Sequence, residues 1–163
     1  FIISQQRTIP SIKNAVEKLA EVYGESIKTD YEIVHLFPSP KQLSQATMEE
    51  LSQFRLGYRT SYILDAIDKV KSGLIDLDKI SAYDDVQLFT ALKTVRGVGD
   101  KVANCIALFS YGRTSLAPVD TWIKKVIEKE YQGTSPFPGY GDAAGIMQQY
   151  MFYYAQTHKG NYH

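Results

Sequence analysis

The sequence predicts an all-α fold, and three observations lead to this prediction. Apolar residues recur at steps of three and four along most of the chain, which is the period of an amphipathic helix. Residue types that begin and end helices stand at the borders of these segments. No stretch alternates apolar and polar residues over a length that suits a β-strand. We therefore expect about eight to ten short helices.

The first predicted helix has Pro10 in its first turn and ends at Gly24. Its expected apolar face consists of Ile9, Ile12, Val16, Leu19 and Val22. After a loop at 37–40, Thr47 and Glu50 have the spacing of a capping box. The short helices around that loop are predicted at 41–46 and 47–53.

The later part of the chain shows further segments of helical period, separated by glycine-containing turns. Helices are predicted at 61–72, 84–95, 101–111 and 143–157. A further helix is predicted to begin with residues 118–120 and to end at 131, and a short helix or turn is predicted at 74–80. Residues 55–59, 96–100 and 133–141 are predicted as turns or loops.

Composition excludes several classes of protein. Cys105 is the only cysteine among 163 residues, which rules out a disulfide framework and a four-cysteine zinc or iron–sulfur site. The three histidines (His35, His158 and His163) are too scattered to indicate a metal centre. No stretch approaches the roughly 20 apolar residues that span a bilayer, and no signal peptide opens the chain. We expect a cytosolic type of globular protein without a cofactor.

The net charge gives no general affinity for nucleic acid. Eighteen basic residues balance 18 acidic ones, whereas proteins that bind phosphates are usually basic. Binding to DNA would therefore depend on a local patch. The chain opens with Phe1 inside an apolar run, and we expect it to be part of a longer protein.

Residues 97–101 have the pattern of a tight turn between two helices. Gly97 and Gly99 flank Val98, so the backbone can turn sharply while the apolar side chain enters the interface of the two helices. Amide groups from Gly99 onward then face outward at the start of a helix, which suits a DNA phosphate. A plain helical connector has the same pattern, and spacing alone favours that simpler interpretation.

Lys101 makes this segment more informative. We expect Asp100 to be the N-cap, which places Lys101 in the first helical turn. There the helix dipole disfavours a cation and favours the neutral, nucleophilic amine. Nineteen residues later, Asp120 is expected to be the N-cap of the next helix. Each residue alone also suits an ordinary role, as a surface lysine or a helix cap, but together with the turn they form a more specific set.

This set resembles the helix-hairpin-helix DNA glycosylase superfamily, and more closely its 8-oxoguanine DNA glycosylase branch of bacterial type. The similarity covers nearly the whole chain and is carried by the segments 1–4, 56–59, 97–105, 118–120 and 148–152. It implies an all-α fold for residues 1–163, with two helical lobes, the active site in the cleft between them and the hairpin at about 86–110. The N-terminal β lobe of the family is absent from this chain.

The resemblance implies a role for each matching residue. The lysine at the position of Lys101 attacks C1′ of the damaged nucleotide, displaces the base and forms a Schiff base that undergoes β-elimination. Asp120 would stabilise the positive charge that develops on the sugar. Cys105 and Phe152 would pack on the two faces of the extruded purine, and Gln148 would hydrogen-bond its edge. Cys105 and Phe152 also suit ordinary core positions.

The remaining matches are expected to contact DNA beside the extruded base. Tyr58 would wedge into the duplex, Arg59 would project to the unpaired partner base and Gln6 would fill the vacated space. The hairpin residues Gly97, Val98 and Gly99 would bind the DNA backbone. The hairpin carbonyls can also hold a monovalent cation in this superfamily.

Three positions depart from animal members of the family. Gln6 lies in a segment where those members have an asparagine run, and Ser11 replaces an arginine that reads the opposite cytosine. Trp122 replaces a histidine two residues after the catalytic aspartate. We therefore expect 8-oxoguanine removal with a looser preference for the opposite base.

Three other interpretations stay open at this point. The chain could be an alkylated-base glycosylase, although those relatives lack the hairpin lysine. It could act on oxidised pyrimidines, although that branch often carries an iron–sulfur cluster. It could also be a non-catalytic DNA-binding module. The preferred interpretation implies a monomer that binds damaged double-stranded DNA and no membrane, in the bacterial cytoplasm at the nucleoid or in a eukaryotic nucleus.

Overall fold

The computed structural model describes residues 1–162, without the side chain of Lys159, and it confirms the all-α prediction. His163, one of the three histidines weighed above, lies outside the described residues. The α-helices are α1 (Ile9–Tyr23), α2 (Pro40–Leu43), α3 (Met48–Ser52), α4 (Arg59–Lys71), α5 (Asp85–Lys93), α6 (Asp100–Tyr111), α7 (Thr121–Tyr131) and α8 (Ala144–Thr157). Short 3-10 helices occur at Lys79–Ala82, Phe137–Ala143 and Lys159–Asn161.

The chain divides into two compact units. The first contains Phe1–Ala82 and Lys93–Gly97, and the second contains Tyr83–Leu92 and the described residues from Val98 onward. The boundaries between residues 92 and 93 and between residues 97 and 98 both lie within the predicted hairpin at about 86–110. Each unit has an apolar core of its own.

In the first unit, α1, α3 and α4 contribute the core. Its buried side chains are Ala15, Leu19, Leu51, Leu56, Ile63 and Ile67. The predicted helix α1 is confirmed, but its expected apolar face is only partly right. Leu19 is 1% exposed, whereas Ile9 and Val22 are 60% and 61% exposed. The helix buries Ala15 and Leu19, since these two residues, four apart, lie on one face.

Side-chain caps define the short helices of the first unit. The predicted capping box is confirmed, because the Glu50 amide donates to Thr47 Oγ1 (3.2 Å) and the Thr47 amide donates to Glu50 Oε2 (2.8 Å). Gly24 is the C-cap of α1, as predicted. Ser39 and Gln42 form a second capping box at α2, which the sequence analysis did not identify.

The first unit also contains a β-hairpin that the sequence analysis missed. Strands β1 (Ser26–Lys28) and β2 (Ile33–His35) pair antiparallel, with Ile27 opposite Val34. Each strand has only three residues, and all of them are exposed except the half-buried Val34. The strands therefore carry no alternation of buried and exposed residues that could reveal them.

In the second unit, α7 and α8 pack against each other and against the 3-10 segment Phe137–Ala143. One core cluster contains the buried residues Ile123, Ile127, Phe137 and Ala144. A second contains Val126, Ala155 and Tyr162. Helix α7 thus buries residues at three- and four-residue steps, as its sequence period predicts.

Some predicted bounds were wrong. The segment 84–95 forms a helix only over Asp85–Lys93, and the predicted loop at 133–141 contains 3-10 structure. The short helix or turn predicted at 74–80 is confirmed, since this segment forms bends and turns that lead into the 3-10 helix Lys79–Ala82. Glycine and proline in the segment 133–141 favour a short 3-10 helix over a longer α-helix.

No helix among residues 1–162 combines the length and the apolar character needed to cross a membrane.

Candidate functional site

The turn at Gly97 requires glycine. Its φ of +80° lies in the left-handed region, and an added Cβ would lie 2.2 Å from Cδ2 of the Tyr62 ring. Gln5 Nε2 donates to the Gly97 carbonyl at 2.9 Å. A carbonyl oxygen has two lone pairs, so this bond leaves one for a cation. The binding of a monovalent cation by the hairpin carbonyls stays a prediction.

Asp65 fixes the residue before this turn within the first unit. Its Oδ2 accepts hydrogen bonds from the Arg96 amide (2.7 Å) and from Lys69 Nζ (2.7 Å). The Lys69 hydrogen bond, followed by that of the Arg96 amide, lowers the pKa of the Asp65 carboxyl. The start of the hairpin is therefore bonded to α4.

We expect Asp65→Asn to reduce thermal stability by about 1 kcal/mol at neutral pH, because the ion pair and part of the amide bond are lost. The pKa of Asp65 is lower in the folded than in the unfolded protein, so the wild-type contribution is fully present above the unfolded pKa of about 3.9. It disappears as the pH falls through the folded pKa. In thermal melts of both proteins from pH 7 to pH 3, the stability gap should therefore narrow as the pH falls below about 3.9, and a gap that stays constant over the whole range would contradict this account.

Helix α6 begins one residue earlier than predicted. Gly99 is its N-cap, with an extended backbone and no capping side chain, so the expectation that Asp100 would be the cap was wrong. Asp100 is the first helical residue instead, where a carboxylate is favourable to the helix dipole. Val98 is 6% exposed, so its side chain is buried as expected.

Lys101 lies in the first turn of α6 and is exposed, and Cys105 lies one turn later on the same face. The Cys105 side chain is 5% exposed. Burial raises the pKa of Cys105, the nearby Lys101 opposes this effect and the Asp120 carboxylate adds to it. Lys101 and Asp120 thus both act electrostatically on Cys105, within the second unit.

Asp120 is the N-cap of α7, as predicted. Its Oδ1 accepts a hydrogen bond from the Ile123 amide at 2.9 Å, which fixes the carboxylate. Pro118 before it is buried. Trp122, the departure noted above, packs against the cluster that contains Val126. Its ring is therefore part of the core.

Helix α8 carries the other predicted residues of this unit. Gln148 is 3% exposed, and its Oε1 accepts a hydrogen bond from Gln149 Nε2. Phe152, one turn later, is half-buried and packs against the cluster of Ile123 and Phe137. Phe152 is thus partly a core residue, and its remaining exposed surface lies on the same helical face as Gln148.

Gly145 positions α8, and the sequence analysis missed it. Its amide donates to the Thr114 carbonyl at 2.7 Å. An added Cβ would lie 2.5 Å from the Leu116 carbonyl oxygen and 2.6 Å from Leu108 Cδ1. The helix therefore lies directly against the 114–116 segment, one turn before Gln148. A glycine inside a helical pattern was the available signal.

We expect Gly145→Ala to destabilise the protein by about 1–3 kcal/mol, because the methyl group must displace backbone and a core side chain. It should also lower any activity that depends on Gln148 more than the loss of folded protein explains. Thermal unfolding and a rate measured on the folded fraction check this. Gly139→Ala is the matched control, since an added Cβ there meets no atom within 4 Å. Equal melting temperatures for the two variants would contradict the expectation.

The predicted residues of the first unit differ in accessibility. Tyr58 is 47% exposed and touches Tyr62 edge-on, with ring centroids 5.5 Å apart. Gln6 is exposed and has a φ of +49°. Arg59, in contrast, is 7% exposed, so its side chain does not project into solvent as expected, and its contact with the partner base stays a prediction. Its guanidinium donates hydrogen bonds to the backbone carbonyls of Gln5, Gln6 and Leu56. These carbonyls satisfy the buried donors in place of solvent.

Ser11 stands where animal members of the resembled family have an arginine, and its side chain contacts Arg7. Arg7 Nε and Nη2 both donate to Ser11 Oγ, at 2.9 and 2.6 Å. Arg7 Nη1 is buried and has no hydrogen-bond partner among residues 1–162. The Arg7 guanidinium therefore lies beside Ser11 and is held by its hydroxyl.

The sequence matches the family described as HhH-GPD superfamily base excision DNA repair protein over residues 1–142. The chain belongs to the HhH-GPD superfamily.

Individual relatives agree with this assignment of the HhH-GPD chain. The N-glycosylase/DNA lyase of Saccharomyces cerevisiae is 30% identical over 146 residues, which are 81% of this chain and 38% of the yeast protein. The structure of the 8-oxoguanine glycosylase/lyase of Clostridium acetobutylicum, in complex with double-stranded DNA containing cytosine opposite 8-oxoG, is 32% identical. It has a TM-score of 0.89 over 97% of this chain and 58% of that chain. MBOgg1, in complex with a low affinity DNA ligand, is 38% identical, with a TM-score of 0.90 over 96% of this chain and 57% of that one.

This HhH-GPD chain spans less than two thirds of each of those proteins. Within the second unit, Lys101 and Asp120 both lie close enough to Cys105 to act on its pKa. Within the first, it joins the Gln5–Gln6 turn, Arg59 and Gly97 by hydrogen bonds. Gln5, which connects two of these elements, was not singled out by sequence reasoning, because an amide donor to a distant carbonyl leaves no local pattern.

Proposed function

We propose that this protein is a DNA glycosylase/AP lyase that removes 8-oxoguanine from double-stranded DNA. The electrostatic effects of Lys101 and of Asp120 on Cys105 carry the proposal, because they indicate that an amine in the first turn of α6, a neutral thiol one turn later and a carboxylate fixed at the N-terminus of α7 are grouped together. The relatives named N-glycosylase/DNA lyase and 8-oxoguanine glycosylase/lyase support it. Such a set is not needed for DNA binding alone, which disfavours a non-catalytic module.

In the first step, the deprotonated Lys101 amine attacks C1′ of the damaged nucleotide. The new C1′–N bond forms as the glycosidic bond breaks, and the electron pair of the broken bond leaves with the base. The base takes up the proton that the newly formed secondary ammonium of Lys101 releases. Positive charge develops on the sugar while the old bond breaks. The Asp120 carboxylate, held by the Ile123 amide, stabilises that charge without having to reorganise.

In the second step, the amine nitrogen expels the ring oxygen of the sugar and forms a Schiff base at C1′. Loss of a proton from C2′ then moves electrons toward C3′, and the 3′ phosphate leaves with the electron pair of its C–O bond. The strand is nicked by this β-elimination. Hydrolysis of the Schiff base returns the free Lys101 amine.

The extruded base is proposed to lie against Cys105, Gln148 and Phe152. A neutral, buried thiol and an aromatic ring offer apolar surfaces to the two faces of a purine. The Gln148 carboxamide both donates and accepts, which suits a base edge. Its Oε1 already accepts from Gln149, so a purine N–H would share that oxygen.

Contacts to the duplex are proposed for the hairpin and for the first unit. Amides at the start of α6, together with Gly97, Val98 and Gly99, bind a DNA phosphate. The exposed Tyr58 wedges between bases, and the exposed Gln6 fills the vacated position. Arg59, which is 7% exposed, is proposed to reach the unpaired partner base.

We further propose that residues 1–163 act as one helical glycosylase core and as a monomer, at the nucleoid or in the nucleus where the substrate is. The absence of a second arginine at Ser11 predicts a modest preference for cytosine opposite the lesion, since one donor fork is worth about 1–3 kcal/mol. Single-turnover rates opposite each of the four bases measure this preference. A preference above about 100-fold for cytosine would contradict it.

Borohydride trapping on a matched set of duplexes tests the proposed function. The duplexes contain 8-oxoguanine opposite cytosine, an abasic site, an alkylated purine, an oxidised pyrimidine or no damage. A covalent adduct on 8-oxoguanine, lost in Lys101→Gln, is the expected result. Adducts on the alkylated purine or oxidised pyrimidine in its place would assign another substrate branch. Binding to abasic DNA without any adduct would overturn catalysis by this chain.

A further inference from the structure

The side chain of Gln148 is held by that of its neighbour on α8. Gln149 Nε2 donates a hydrogen bond to Gln148 Oε1 at 2.5 Å, and among residues 1–162 this is the only hydrogen bond of the Gln148 side chain. Successive side chains on a helix point about 100° apart, so the helix alone does not bring them into contact. The two carboxamides meet because both side chains turn toward each other.

The amide nitrogen of Gln148 has no partner in the described part of the chain. Gln148 is 3% exposed, yet its Nε2 donates no hydrogen bond to any of residues 1–162. A buried amide group without a partner costs free energy, so folded proteins rarely keep one unless another molecule satisfies it. Oε1 also has a second lone pair beside the one that Gln149 uses. The Gln148 carboxamide thus offers a donor and an acceptor to a ligand.

The contact with Gln149 selects one of two orientations of this carboxamide. Rotation by 180° about the last side-chain torsion exchanges the oxygen and the NH2 group while the shape hardly changes. In the rotated orientation Gln148 Nε2 would face Gln149 Nε2, and two donors cannot bond to each other. Gln149 therefore determines which end of the Gln148 carboxamide donates and which end accepts.

This orientation matters because two oxidised purines present opposite patterns along the edge that a carboxamide pairs with. 8-Oxoguanine has an acceptor at O6 next to a donor at N1, whereas 8-oxoadenine has a donor at N6 next to an acceptor at N1. A carboxamide that rotates freely pairs with either edge. A carboxamide held in one orientation pairs with one edge and leaves polar groups unpaired against the other, which is the basis of strong discrimination.

We propose that Gln149 is a positioning residue that fixes the orientation of the Gln148 carboxamide and thereby makes the base site select 8-oxoguanine over 8-oxoadenine. This inference rests on the proposed function, since it takes Gln148 as the side chain that bonds the edge of the extruded base. Gln149 acts through Gln148 and has no contact of its own with the base.

The test measures single-turnover rates of base release from duplexes holding 8-oxoguanine or 8-oxoadenine opposite cytosine. Gln149→Glu replaces the donor by a carboxylate that only accepts, so Gln148 Nε2 must turn toward it. We expect the ratio of the two rates to fall by about tenfold or more, mainly through slower release of 8-oxoguanine. Gln149→Met, which has a similar length and no donor, should lower the ratio less, because both orientations become accessible. Gln149→Lys, which only donates, should keep the wild-type ratio.

Gln156→Glu is the matched control. Gln156 is also half-buried on α8, two helical turns later, and has no hydrogen bond to Gln148. This variant introduces the same charge and should keep the wild-type ratio. Rates are referred to the folded fraction from thermal unfolding, so a purely structural defect lowers both rates and leaves their ratio unchanged.

An unchanged ratio in Gln149→Glu overturns the inference, and Gln149→Met decides in the same way if the glutamate variant does not fold. A fall in Gln149→Lys equal to that in Gln149→Glu also overturns it, because the donor would then be irrelevant. Each of these results leaves the borohydride adduct of the wild-type protein on 8-oxoguanine in place. Absence of that adduct is the failure of the proposed function, so the two failures are distinguishable.

Discussion

Replacing Lys101 with glutamine is expected to abolish base release and strand nicking while leaving DNA binding in place. Glutamine has no amine to attack C1′ and cannot form a Schiff base, so the single-turnover rate should fall by at least about 10,000-fold. Because Lys101 is exposed in the first turn of α6, a neutral side chain there should not destabilise the fold. Denaturing gels after borohydride treatment, together with an affinity measurement on abasic DNA, check both parts.

Lys124→Gln is the matched control, since Lys124 is an exposed lysine on α7 outside the proposed site. It should keep full activity. Persistent strand nicking by the Lys101 variant would show that another amine performs the reaction and would remove the central residue of the proposal.

Replacing Asp120 is expected to separate its two roles. Asp120→Asn keeps a side-chain oxygen for the Ile123 amide and removes the charge, so stability should hardly change while the rate of base release falls by about 100- to 1000-fold. Asp120→Ala should show a similar rate loss and, in addition, a loss of about 1 kcal/mol in stability, because the helix cap is gone.

Thermal unfolding and single-turnover rates on 8-oxoguanine duplexes measure the two effects separately. If Asp120→Asn kept the wild-type rate, the carboxylate would be a cap only. If both variants lost rate and stability in parallel, the chemistry would depend on the geometry of α7 and not on charge. We expect neither result, because one Asp120 carboxylate oxygen accepts the hydrogen bond that caps α7 while the negative charge also acts in the proposed site.

Much of the fold followed from local chemistry. Thr47 with Glu50, and Asp120 with the α7 amides, are contacts over three residues, and such contacts are encoded by spacing alone. The helical period likewise located most of the helices. The β-hairpin did not follow, because its three-residue strands are held by backbone pairing and bury almost nothing.

Those parts of the candidate site that lie on one face of a single helix were predictable from the sequence. Lys101 and Cys105 are four residues apart, so their place on one face of α6 follows from the helix period. The burial of Arg59 did not follow, because its partners are carbonyls of Gln5 and Gln6, more than 50 residues away. Gly145 gave a signal, but only the closeness of Leu116 shows why a side chain is excluded there.

The environment of Cys105 also determines how the protein withstands oxidants. Peroxide and maleimides react with accessible thiolates, whereas this thiol, the only one in the sequence, is 5% exposed and burial raises its pKa. It should therefore be oxidised slowly to sulfenic acid and should form no mixed disulfide with glutathione while the protein is folded. Its burial thus protects from oxidation the sulfur that, in the proposed function, packs against the extruded base.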